Sequence, residues 1–145
     1  MDKNKLNRLI AKVEKPARYM GGELNMRIKA EAEFRFALCF PDTYEIGMSH
    51  LGSRIIYNIL NKRADTYCER VYAPWVDMEE QLRENNEPLF SLETRSPLRE
   101  FNVIGFSLLY EMCYTNILTV LELSGIPFLA SERGEDMPLI AAGGP

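Results

Sequence analysis

Apolar residues recur along this chain with two periods, one of about 3.6 residues and one of two, and segments of each kind alternate. Leu6, Leu9, Ile10 and Val13 fall at i, i+3, i+4 and i+7, which predicts a short amphipathic helix over 2–14 that Lys15-Pro16 ends. Gly21-Gly22 forces a turn, and the alternation of Leu24, Met26 and Ile28 predicts a short edge strand. The first long strand is 34–40, rich in aromatics and closed by Pro41-Asp42. A loop is expected over 43–48. A helix follows whose apolar face is Leu51, Ile55, Ile56, Ile59 and Leu60, with Ser49 as its N-cap.

Residues 68–73 read as a second strand, stopped by Pro74, and Trp75, Met78 and Leu82 as one face of an acidic helix that ends near Asn85-Asn86. After a short extended piece at 88–93 comes an apolar run, Val103-Ile104-Gly105-Phe106, that ends in Ser107 and reads as a strand buried on both faces. Ile117, Val120, Leu121 and Leu123 predict the next helix, stopped by Ser124-Gly125. Residues 126–130 read as short and extended and 131–136 as a charged loop. The segment 138–142 reads as a last buried strand, ending in Gly143-Gly144.

Strands alternating with helices predict the α/β class, a Rossmann-like three-layer sandwich around a mostly parallel sheet with right-handed crossovers. Residues 1–30 are expected to be an extension, too short for a core of their own, and 31–145 the domain. A glycine turn directly after a strand of central type leads us to expect a fragment, lacking the helix and strand that would follow its fourth main strand.

Charge narrows the partners. Seventeen Lys and Arg stand against 21 Asp and Glu, a net charge of −4 with no basic stripe, so nucleic acid is not expected. There is no stretch of signal-peptide or membrane-span length, and a cytoplasmic protein without a membrane partner is expected. Cys39, Cys68 and Cys113 lie far apart in no ligand spacing and read as buried free thiols. With His50 as the single histidine, multi-histidine metal sites are excluded.

In a parallel sheet the turns at 47–52, 107–111 and 143–144 share the carboxyl edge, where ligands of such folds bind. Ser107 is either a ligand-binding hydroxyl or the N-cap of the next helix, and Gly143 and Gly144 either admit a ligand or form an ordinary turn. Asp42, Tyr44 and Glu45 are either polar groups of a cleft or a solvated loop. His50 reads as a helix-face or surface residue, and Trp75 and Tyr110 as packing. No G-x-G-x-x-G or Walker motif is present.

The three turns resemble the cobalamin-binding domain, whose pattern is D-x-H-x-x-G, then S-x-L, then G-G on successive strand ends. Ser107-Leu108-Leu109 matches the second element and Gly143-Gly144 the third. In the first, Gly47-Met48-Ser49-His50-Leu51-Gly52 keeps only Gly52, with Gly47 in place of the aspartate and Ser49 in place of the cobalt-ligating histidine. The resemblance implies a cofactor site at Gly47, Ser49, Gly52, Ser107, Leu109, Gly143 and Gly144, and cobalamin held without a histidine on cobalt. It equally allows a fold kept for structure or partner docking with the ligand lost.

Residues 15–25, 40–52, 72–75 and 88–93 resemble the N-terminal region of a family of bacterial radical S-adenosylmethionine (SAM) proteins. That family implies a C-terminal radical SAM domain in the same parent chain. There a C-x-x-x-C-x-x-C motif holds a [4Fe-4S] cluster that cleaves SAM to a 5′-deoxyadenosyl radical. The motif is absent from this sequence, so the piece alone is expected to be neither cluster-binding nor an enzyme.

Overall fold

Strand Phe34–Phe40 (β1) pairs on both of its edges, and the rest of the fold is laid out from it. The computed structural model describes residues 3–144; Met1 and Asp2, at the start of the expected extension, and Pro145 lie outside the described residues. β1 runs parallel to Thr66–Tyr72 (β2) on one side and to Val103–Ser107 (β3) on the other, and Leu139–Gly143 (β4) pairs in parallel with β3. The sheet order is β2-β1-β3-β4. Helices cover both faces, so the α/β Rossmann-like three-layer class is as the sequence predicts. The chain moves from β1 outward to β2 and then crosses back to β3, which makes the carboxyl ends of β1 and β3 the topological switch point.

One face of the sheet is closed. Strand alternation sends Ala37, Cys39, Val71, Ile104 and Phe106 to that side. There they meet the helices Lys3–Ile10 (α1), Val76–Asn85 (α4) and Tyr114–Leu123 (α5) in a single core. Leu6, Leu9 and Ile10 lie on α1, which ends at Ile10 instead of running to 14, and Val13 lies beyond it; all four are buried. A helix this short gains its stability from packing on its neighbours rather than from propensity.

The other face is covered only in part. Tyr44–Ser49 forms a helix (α2) where a loop is expected, and Leu51–Lys62 (α3) lies mainly over β2, packing Tyr57 and Leu60 on Phe36, Leu38 and Cys68. The predicted apolar face of α3 is the wrong one: Leu51, Ile55, Ile56 and Ile59 point outward at 65, 49, 42 and 58 % exposure, while Ser53, Tyr57 and Asn61 are buried. The reason is the free edge of β2. Asn61 bonds both peptide groups of Cys68, donating to its carbonyl at 2.9 Å and accepting its N–H at 3.1 Å, and so takes the place of a neighbouring strand. Two residues on, Leu92 N–H donates to Arg70 O and Glu93 accepts Arg70 N–H at 2.6 Å.

Val76–Asn85 (α4) follows Trp75, which stands before the helix and is partly exposed under the Arg18 guanidinium instead of joining the Met78 and Leu82 face. Tyr114–Leu123 (α5) runs as predicted, and Gly125 turns its end at φ 64°. β4 is not a buried strand. Only Ile140 packs toward the core: Leu139, Ala141 and Gly143 lie on the side of the sheet that α3 leaves open, and Ala142, on the other side of this edge strand, is exposed. Residues 24–28 form no strand either. Arg27 holds this segment across α3 and β2, its N–H donating to Tyr57 Oη at 2.9 Å and its carbonyl accepting from Tyr67 Oη at 3.1 Å.

Candidate functional site at the carboxyl edge

The elbow between α2 and α3 carries the first group of expected site residues and uses them for packing. Gly47 is buried against Tyr72 and Phe40, and a Cβ there would run into the Tyr72 ring. Ser49 donates its hydroxyl to Ile46 O at 2.8 Å and caps nothing. The N-cap of α3 is His50, whose Nδ1 accepts Ser53 N–H at 3.1 Å while its ring stands 5.3 Å from that of Phe40. Gly52 lies under this ring, and a Cβ there would approach His50 Cε1 to 2.8 Å.

At the ends of β3 and β4 the picture differs. Ser107 pairs across the sheet with Gly143, on the open side. Ser107 caps no helix: a short 3-10 turn, Glu111–Cys113, precedes α5, and no side chain caps either one. A Cβ on Gly143 would meet nothing within 4 Å, whereas one on Gly144 would strike the Leu108 carbonyl, so Gly144 is required by the chain itself. Leu109 is at the surface. Of the seven expected residues, the structure therefore sets Ser107 beside Gly143 at the edge and gives Gly47, Gly52 and Gly144 packing reasons of their own.

Tyr110, expected to pack, instead donates its hydroxyl to Asp42, whose other oxygen accepts Thr43 N–H at 2.7 Å. This ties the turn after β1 to the turn after β3 across the switch point, and the hydrogen bond to Asp42 pushes the Tyr110 phenol up to about 12. Asn116 adds a second tie, donating to Pro41 O at 3.0 Å. Tyr44 donates to Glu23 at 2.8 Å and Glu45 pairs with Arg18 at 2.8 Å, so both bind the residues before β1 to α2.

Sequence reasoning passed over the buried charges of β2. Glu69 and Arg70 are neighbours on a strand and so point to opposite faces. Glu69, fully buried, accepts from Arg35, Ser91 and Thr94. Arg70 donates Nε to Glu93 at 2.6 Å and Nη2 to Glu23 at 2.9 Å, and its guanidinium lies 4.9 Å from the Tyr57 ring. Burial pushes Glu93 up to about 7 against the pull of Arg70. The available signal was Glu-Arg in the middle of an otherwise apolar strand, where each charge demands a partner.

These residues do not fit a histidine-ligated corrinoid. His50 Nδ1 is occupied at the helix cap, and the aspartate position is a glycine with no room for a side chain. Nor do they fit an iron–sulfur cluster: all three cysteines are buried free thiols, and burial raises the pKa of Cys39 and Cys68. Among the described residues no group of three or more His, Cys, Asp or Glu is placed to hold a metal, and no helix is long and apolar enough to cross a membrane.

Residues 52–145 match the family described as Radical SAM proteins, N-terminal. No curated protein and no solved structure matches the chain.

Proposed function

Because the chain belongs to the family of N-terminal regions of radical SAM proteins, we propose that it is the module on which the radical SAM domain of its parent protein is seated and positioned. In this reading the [4Fe-4S] cluster, SAM and the radical chemistry belong to that other domain, and this chain supplies a surface. The observation that carries it is the outward stripe of α3. Leu51, Ile55, Ile56 and Ile59 face water on a helix whose buried side holds Ser53 and Asn61 beside Tyr57 and Leu60, so its largest apolar stripe gains free energy only when something apolar covers it. The choice of the radical SAM domain as occupant is supported by the family's description as the N-terminal part of radical SAM proteins.

Hydrogen exchange tests this. In the full-length parent, α3 amides should exchange at least tenfold more slowly than in the 145-residue chain, and Ile55→Lys with Ile59→Lys should remove the difference while the chain alone keeps its melting temperature. Equal exchange of α3 in the chain and the parent would end the proposal.

A second reading is supported by the pairing of Ser107 with Gly143 on the open side of the sheet. There the edge takes a corrinoid with no protein ligand on cobalt. Cobalamin added to the parent would then bind stoichiometrically with a base-off visible spectrum that His50→Ala leaves unchanged and Gly143→Val abolishes. Absence of binding removes this reading and leaves the docking role standing.

A further inference from the structure

On the α3 side, between that helix and the ends of β1 and β2, lies a cavity of about 260 Å³, distinct from the Ser107 edge and from the outward stripe of α3. Leu38, Phe40, Tyr57 and Tyr72 give it flat apolar walls, and the segment 23–25 forms its roof. An apolar cavity of roughly 150 Å³ is enough to hold benzene, so this one has room for two fused rings.

Its polar end is unusual. Arg70 Nη1 donates to the Met48 sulfur at 3.1 Å, and the Tyr72 hydroxyl donates to the same sulfur at 3.0 Å. A thioether is a weak acceptor, yet two strong donors converge on it, one from a guanidinium that is buried and held by two carboxylates. A carbonyl oxygen has two lone pairs and would satisfy both donors better. Met48 is an unbranched side chain that can yield to it. Charge selects further. Arg70 is already paired with Glu93 and Glu23, so an anionic ligand would add a third negative group beside one cation, whereas a neutral carbonyl adds none. At the mouth, Asn25 and Asn58 offer amides that both donate and accept, suited to the edge of a heterocycle.

We propose that this cavity binds a neutral, planar, two-ring heterocycle of the oxopurine kind, stacked between the tyrosines, with its carbonyl oxygen replacing the Met48 sulfur as acceptor for Arg70 and Tyr72.

The test uses the 145-residue chain labelled at its methionine methyl carbons, with hypoxanthine as the probe and benzoate as the anionic comparison. Hypoxanthine should shift the Met48 methyl resonance and saturate at submillimolar concentration. Tyr72→Phe, which removes one donor and keeps the ring, should weaken binding about tenfold. Benzoate should give no saturable shift. The proposal is overturned if hypoxanthine leaves the Met48 methyl unmoved, if benzoate binds as tightly, or if Tyr72→Phe binds like the unaltered chain.

Discussion

The two faces of the sheet are built on opposite rules. The face under α1, α4 and α5 is a continuous apolar core in which Met78, Leu82, Leu98, Ile104 and Val120 are fully buried, with a single buried carboxylate, Glu69, paired with Arg35. The face under α3 holds a small apolar cluster, a buried arginine with two carboxylates, a cavity and an uncovered stretch of β4. The difference teaches where each task sits. The closed face supplies stability, and the half-covered face, which leaves a cavity and exposed apolar surface, is where a partner or ligand has something to gain.

That contrast can be broken by substitution. Leu82→Ala on the closed face should cost about 2 to 5 kcal/mol in urea unfolding, since it removes a fully buried side chain from a packed core. Gly47→Ala, which forces a Cβ onto the Tyr72 ring, should cost about 1 to 3 kcal/mol and shift Tyr72 resonances. His50→Ala should cost about 1 kcal/mol through the lost cap of α3. Ile59→Ser on the outward stripe should change the stability of the isolated chain by no more than about 0.5 kcal/mol.

A pH series sharpens the comparison at one residue. Burial raises Glu93 in the folded state from the ordinary 4.5 to about 7, so between those values the native chain holds this proton more tightly than the unfolded one. Its contribution to stability is present in full below the unfolded value and is lost as pH rises through the folded one. Glu93→Gln should flatten the fall in urea midpoint across that window, and a variant whose profile parallels the unaltered chain would show that Glu93 titrates normally.

Much of the closed face was legible in the sequence. Leu6, Leu9 and Ile10, the run ending at Ser107 and the stop at Ser124-Gly125 all sit where their periods place them, because a side chain's period along its own element needs no knowledge of neighbours. The carboxyl-edge position of Ser107 and Gly143 was legible for the same reason, once the sheet was taken to be parallel. What failed was the half-covered face. The isoleucines of α3 read as a core stripe, yet the helix is turned by Asn61, whose amide satisfies the open edge of β2. The 138–142 segment read as buried, yet it is an edge strand with one covered residue.

Local periodicity and chain connectivity were enough for the alternation of the four main strands with α3, α4 and α5, the parallel α/β class and the apolar content of each element, though not for α2 or for the unformed strand at 24–28. Only the tertiary structure decided which face of α3 is buried, that His50 rather than Ser49 caps it, that Gly144 answers to Leu108, and that Arg70, Tyr72 and Met48 meet at one cavity. Apart from the local His50 cap, those outcomes depend on which groups are left unpaired after the strands associate, and hydrogen bonds such as those of Met48 with Arg70 and Tyr72, 22 and 24 residues away, leave no trace in any local pattern.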